Sequence, residues 1–430
     1  MKKAAGLIFL AVILFLFRYL VGLQVNFSHE DYVQVYLIGL ESLINNSWPY
    51  WGPDIVWSAR QLPGALQAYL ISIPLKITHL PSAPIFVANL ISFSGLLMMA
   101  WYAKNRFKNL PILLIMFIMT LLPYTVLNGA VLLNTCYLIC TGSILFIATA
   151  ELYLYRSDPL IKKKWVVPTS LGLAFITTFQ LHLTWVMFLP FFVVFFMLEL
   201  RESKKKALRF MLYLFVGMLI PMMLVLPTII RYPVETFFNS EGSLVFQPDR
   251  LLKFFDVFIR YLSTATFNLN PKSDIAVLAD KSFDATSVFL YILKILAGIQ
   301  LIGIIVGGYL KRKEPEFRKL LVLFGLTLIM ICGLYVLSNK HLSSRTFILL
   351  WPIPVWMSLY AYDALRKWKI SLAILYGYCL YQIVIFVLIT IHTYHGEFSV
   401  YAKEDSIKEA IRQNDAEVFD ERRRTISPTD

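Results

Sequence analysis

Apolar runs of about twenty residues recur along this chain from Gly6 to Ile391, and no other feature narrows its possible folds as far. A helix rises ~1.5 Å per residue, so ~20 apolar residues cross ~30 Å of hydrocarbon while satisfying their own backbone hydrogen bonds. The clear runs fall at roughly 5–23, 83–103, 110–128, 133–155, 166–180, 183–199, 208–230, 286–310, 318–338, 346–363 and 369–391. They predict an all-α, polytopic integral membrane protein. Composition agrees: of 430 residues, 58% are hydrophobic and 16% charged, with a mean hydropathy of +0.65, against about 25% charged in soluble domains. No stretch has room for a large soluble catalytic domain.

The formal charge of +13 does not point to nucleic acid, because Lys and Arg sit in short clusters between apolar runs, as the positive-inside rule expects. Cys136, Cys140, Cys332 and Cys379 all lie inside apolar runs, which argues against a disulfide framework or a Cys-based metal site. Met1-Lys2-Lys3 followed by an apolar run has the outline of a signal peptide. Arg18 interrupts that run and no small-x-small site follows Leu23, so it is read as an uncleaved first span.

One segment, Gly64 to Leu80, is ambiguous: it is short, holds Pro74 and Lys76, and follows Pro63. Charge decides its placement. If it does not cross, the clusters around Lys104, Lys162–Lys164, Lys204–Lys206, Lys311–Lys313 and Arg366–Lys369 all fall on the cytoplasmic side; if it crosses, all of them move outside. About eleven spans follow, with the N-terminus cytoplasmic, the C-terminus extracytoplasmic, and the chain in the plasma (inner) membrane. Residues 1–392 form one transmembrane domain with outer loops 24–82 and 231–285; residues 393–430 form an extracytoplasmic tail, helix-compatible from Glu404 to Arg412.

Chemistry is expected on the outer face. Asn26-Phe27-Ser28-His29-Glu30-Asp31-Tyr32 follows the first span directly, and carboxylates so close to hydrocarbon are costly unless solvated or used. In one reading, Glu30 and Asp31 supply a general base and its partner; in the other, Ser28 and Asp31 cap a helix beginning near Tyr32. Further along, Asp249 in Pro248-Asp249-Arg250 has the form of an N-cap to an interfacial helix. Gly303-Ile304-Ile305-Val306-Gly307 permits close helix approach.

Asp31, then a helix, Trp48-Pro49-Tyr50, and Arg60-Gln61-Leu62-Pro63-Gly64 before a short apolar helix resemble the first outer loop of the GT-C glycosyltransferases, in particular protein O-mannosyltransferases and lipid A aminoarabinose transferases. Gln180-Leu181-His182-Leu183-Thr184 is similar to an outer turn of those families, and Ser344-Arg345-Thr346-Phe347 through Pro354 is similar to their Arg-Tyr-x-x-Pro stretch. The pair here reads Glu-Asp where the families have Asp-Glu, and Asn134 stands where many have Asp. The resemblance implies a GT-C fold with juxtamembrane helices in the first outer loop, and transfer of a sugar from a polyprenyl-phosphate donor to a lipid, glycan or protein acceptor on the extracytoplasmic face of the cell envelope.

Such a reaction needs a base, a cation for the leaving phosphate, and a lipid-accessible cavity. Asp31 is the expected base with Glu30 beside it. Arg345 is the expected phosphate ligand, because a guanidinium grips phosphate bidentately; Arg60, His341 and His182 are second choices, with snorkelling, a loop ion pair, a solvated imidazole and a turn contact as the plainer roles of Arg345, Arg60, His341 and His182. No cofactor is expected and no metal site is assigned, with a divalent ion left open. A flippase or transporter of lipid-linked glycans and a non-catalytic envelope scaffold are the competing functions. Few ionisable residues lie inside the spans beyond Arg18, Glu151, Lys294 and Asp363, which weighs against ion-coupled transport.

Overall fold

A computed structural model describes residues 2–27, 30–54, 61–232, 246–266, 284–337, 347–366 and 399–419 with scattered positions between 368 and 384, of which 2–4, 30, 54 and 284–294 are described by backbone alone. Among the described residues the fold is helical apart from one two-stranded hairpin and the connecting turns. Five helical stretches, Ala5–Val25, Ala83–Arg106, Asn134–Leu154, Leu183–Glu202 and Pro315–Val336, are long and apolar enough to cross a bilayer, and a bent helix pair makes a sixth. Further expected spans are also helical, at α8 (Val166–Leu181), α10 (Lys204–Met222), α13 (Asp284–Lys311) and α15 (Pro352–Leu365). The eleventh, 369–391, lies largely outside the described residues.

The bent pair is α5 (Ile112–Leu121) and α6 (Pro123–Gly129), which meet at 51°. Pro123 disfavours helical backbone at the residue before it, and Leu122 is accordingly extended at φ −55°, ψ 127°. Two bonds show that the pair crosses rather than turning back. Its start lies beside the end of α4 (Ala83–Arg106), where Lys104 donates to Leu110 O at 2.8 Å; past its other end, Leu132 N donates to Asn26 Oδ1, just beyond α1 (Lys2–Val25).

The break explains the charge inside the first span. Arg18 is fully buried and donates through Nη1 to Thr120 O at 2.9 Å and through Nη2 to Thr125 O at 2.8 Å, while the Thr125 hydroxyl bonds Met119 O and Leu122 O. The Thr120 carbonyl freed by the kink is thus taken by a guanidinium that also bonds a carbonyl of α6, and the C-terminal dipole of α5 favours its positive charge.

Segment 64–80 does not cross. Its helix, α3 (Leu66–Thr78), is ~20 Å long at 1.5 Å per residue, and both its ends reach the same end of the bundle. Ala65 N donates to Leu224 O, and Gly64 lies against Gln180 at the end of α8; beyond the other end, Pro81 O accepts from Tyr36 of α2 (Glu30–Asn45), and Ile85 lies against Gly22 of α1. Ile73, Ile77 and Leu80 are exposed along it, as suits a helix at the membrane interface.

At the opposite end the basic clusters find partners: Arg106 pairs with Glu151 at 3.1 Å, Arg156 with Glu199 at 2.9 Å, and Lys311 with Asp363 at 2.9 Å. Glu151 sits in a π-turn, Ala150–Leu154, that continues α7 (Asn134–Thr149) and also accepts from Tyr102 OH and Ile161 N. The GxxxG segment serves the fold itself, since a Cβ at Gly307 would stand 2.5 Å from Ala361 Cα on α15. Asp249 is not an N-cap: it lies inside a 3-10 turn, Pro248–Lys253, whose preceding residue Gln247 donates its amide to Val336 O, and α12 (Phe254–Leu262) begins afterwards.

The tail joins the end of the bundle that carries α2 and α3. α16 (Glu404–Gln413) buries Ile407 and Ala410 in one apolar cluster with Val21, Val33, Tyr36 and Leu37, and Val400 N donates to Leu23 O at 2.9 Å. The tail and the first outer loop therefore share a core, which places them on the same side.

Candidate functional site

The site region is built where α1 ends. Asn26 is fully buried and ties the turn to Leu132, and Phe27 packs its ring 5.5 Å from Tyr36 and 5.7 Å from Phe419. One helical turn beyond Phe27 stands Asp31, half-buried, the second residue of α2. The helix starts at Glu30, so Asp31 belongs to its first turn and is not the cap of a helix starting near Tyr32; there its charge favours the N-terminal dipole. Glu30 opens the helix, and its side chain lies outside the described residues.

Three of the motifs met in the sequence converge at the start of α3. The strands β1 (Trp51–Asp54) and β2 (Gln61–Pro63) pair antiparallel, with Trp51 opposite Pro63 and a bulge between Trp51 and Asp54. Tyr50 O accepts from Gly64 N at 2.9 Å and from the Thr228 hydroxyl at 2.7 Å, and Arg231, at the end of α11 (Leu226–Arg231), donates to Tyr50 OH at 2.7 Å. Gly64 has φ +117°, a conformation that favours glycine, and a Cβ there would strike the Gln180 amide at 2.4 Å. Trp48-Pro49-Tyr50, Gln61–Gly64 and Gln180–His182 thus lie together around the start of α3.

His182 has a structural task. Its Nδ1 accepts from Thr184 N at 3.2 Å, capping the 3-10 turn Leu183–Met187, and lies 3.1 Å from the Thr184 hydroxyl. Asn134 opens α7 and donates to Leu181 O at 2.9 Å. Arg60, His341 and Arg345 lie outside the described residues. The stretch following Arg345 is described from Phe347: Trp351 is fully buried with its indole donating to Ile139 O, and Leu350 O accepts from Tyr261 OH. Among the described residues no three His, Cys, Asp or Glu side chains converge as metal ligands.

Sequence reasoning missed two parts of this region. The tail's Phe419 carries no local signal of its partner rings. Gln67, on the buried face of α3, is a lone polar residue in an apolar segment, and only its burial at 0% exposure beside Tyr137 of α7 marks it.

The described residues form a predominantly helical integral membrane protein with, at one end of the bundle, a lobe of two short helices, a hairpin and a docked tail. No family model and no curated protein matches the chain. Among solved structures it is similar to ArnT from Cupriavidus metallidurans bound to undecaprenyl phosphate, at 11% identity and a TM-score of 0.49, over 97% of this chain and 76% of that one. A likeness of that degree brings neither a function nor a site residue to this chain.

Proposed function

We propose that this chain is a GT-C-type membrane glycosyltransferase that moves a sugar from a polyprenyl-phosphate donor to an acceptor on the extracytoplasmic face, with Asp31 as general base. The observation that supports the reading is a half-buried carboxylate in the first turn of α2, directly after a membrane-length helix, in a lobe that also holds a non-crossing helix entered through a Pro-Gly turn. Asp31 takes the proton of the acceptor hydroxyl as the new glycosidic bond forms and the lipid phosphate departs. Glu30 tunes Asp31, and Arg345, aided by Arg60 and His341, neutralises the departing phosphate.

The competing transporter reading draws on the broken span, because discontinuous helices form the binding sites of many transporters. Here Arg18 and the Thr125 hydroxyl occupy the break's carbonyls and Arg18 is sealed from solvent, so the broken ends face no path.

Asp31→Asn tests the proposal. It keeps the shape of the side chain and removes a first-turn charge, which is worth about 0.3–1 kcal/mol to the helix, whereas loss of a positioned base costs roughly 10²–10⁴-fold in rate. The variant is expected to purify normally, bind donor lipid and transfer almost nothing, with Glu30→Gln milder. Near-parental transfer by Asp31→Asn refutes the assignment.

A further inference from the structure

At the end of the bundle opposite α2 and α3, the positive charges divide into two groups. Arg106, Arg156, Lys206 and Lys311 hold carboxylates, and Lys104 and Lys319 hold main-chain carbonyls. Six exposed side chains there make no hydrogen bond or ion pair among the described residues: Lys162, Lys163 and Lys164 just before α8, and Lys204, Lys205 and Arg209 in the first turns of α10. The acids nearest them in sequence are already engaged, Asp158 by Arg106, Glu199 by Arg156, and Glu202 by Arg156 and Lys206. The positive-inside bias counts Lys and Arg whether or not acids pair with them, so it does not ask for free charges gathered on two neighbouring helices.

Nor do the charges of α10 serve the helix, since cations at an N-terminus oppose its dipole and no acid stands in this first turn. What they continue is an apolar stripe. α10 turns Ala207, Phe210, Leu214, Gly217 and Pro221 into the protein, so close to α8 that a Cβ at Gly217 would stand 1.9 Å from Thr169 O. On its other face Leu208, Leu212, Phe215, Val216 and Leu219 are exposed at helical spacing. Lys204 lies one turn before Leu208 on that face, and Lys205 and Arg209, one turn apart, flank it. Side chains on a helix lean toward its N-terminus, which carries the three charged heads past the end of the stripe. Trp165, exposed at the start of α8, adds a ring of the kind enriched where acyl chains meet headgroups.

An apolar stripe that ends in free cations selects its occupant. A soluble anion would use the charges and leave the stripe; a zwitterionic lipid would use the stripe and bring a cation of its own toward the lysines. A lipid with a net negative headgroup uses both.

We propose that Lys204, Lys205 and Arg209 bind the phosphate of an anionic phospholipid in the leaflet at this end of the bundle, with its acyl chain along the stripe from Leu208 to Leu219. The site lies at the opposite end of the bundle from Asp31 and stands independently of the glycosyltransferase reading.

Lipid titration of the purified full chain in detergent, followed by native mass spectrometry, tests it with phosphatidylglycerol and phosphatidylcholine as probes. The parent is expected to hold phosphatidylglycerol about tenfold more tightly. Lys205→Gln/Arg209→Gln should abolish that preference, whereas Lys108→Gln/Lys313→Gln, which removes as many exposed charges at the same end, should keep it. Lys204→Gln should lose part of the preference and serves if the first double variant does not purify. Glycerol 3-phosphate, which has the phosphate without acyl chains, should not compete. A parent without preference, an unchanged preference in Lys205→Gln/Arg209→Gln, equal losses in the two double variants, or competition by glycerol 3-phosphate at matching concentration overturns the site.

Discussion

A guanidinium inside a membrane helix needs a reason, and Arg18 has one in the two carbonyls it holds at the α5–α6 break. Arg18→Met would fill similar space while leaving Thr120 O unpaired in a dry interior and Thr125 O with its helical partner alone, at roughly 1–3 kcal/mol for the orphaned carbonyl. Thermal unfolding in detergent should show a clear loss of stability for Arg18→Met and a smaller one for Arg18→Lys, which can still reach one carbonyl; an unchanged melting temperature for Arg18→Met would remove the pairing from the fold's support. Residues of this kind divide what the sequence discloses. Asp31 could be singled out from its place after an apolar run, and Arg18 noticed as an interruption of one. The partners of Arg18 lie 102 and 107 residues away, a distance over which local pattern says nothing.

Elements show the same division. Eight or more of the helices follow directly from hydropathy, and α16 from its apolar positions at Ile407, Ala410 and Ile411, but no pattern in the tail states that it docks on α2. That docking rests on Phe419, wedged between Phe27 and Tyr36 at 5.7 Å from each. Truncating a buried Phe costs about 3 kcal/mol, which corresponds to roughly a hundredfold rise in local opening at ~1.4 kcal/mol per tenfold. Phe419→Ala should therefore expose Lys408 and Arg412 to trypsin about a hundred times faster while the spans stay resistant. Cleavage at the parental rate would mean that the tail is held by other contacts. The segment 110–128 reads as one continuous span, and its break at Pro123 and its crossing path emerge only from the extended Leu122 and the bonds at either end of the pair.

For the molecule as a whole, α3 bears most on the topology, because a helix with both ends at one end of the bundle does not reverse the spans that follow it. The paired basic clusters at Arg106, Arg156 and Lys311 collect at one end, and the tail collects with the first outer loop at the other. Cysteine introduced at Gln413 should react with a membrane-impermeant thiol reagent in intact cells, and cysteine at Lys205 should react only after lysis; the reverse pattern would invert the protein in its membrane. Arg60, His341 and Arg345, proposed above as partners of the donor phosphate, are the positions to test next to Asp31.

The Arg18 bonds also impose an order in time. The first span leaves the ribosome long before Thr120 and Thr125 are made, and at ~5–20 residues per second the 102 residues that separate Arg18 from Thr120 take about 5–20 s to synthesise. Throughout that interval the nascent helix carries an unanswered charge, worth about 2.5–3.5 kcal/mol against insertion at the centre of a span. Biogenesis should accordingly stall the first helix beside the insertion machinery until α5 and α6 arrive, so that membrane entry of the earliest segment is completed by one of the later ones.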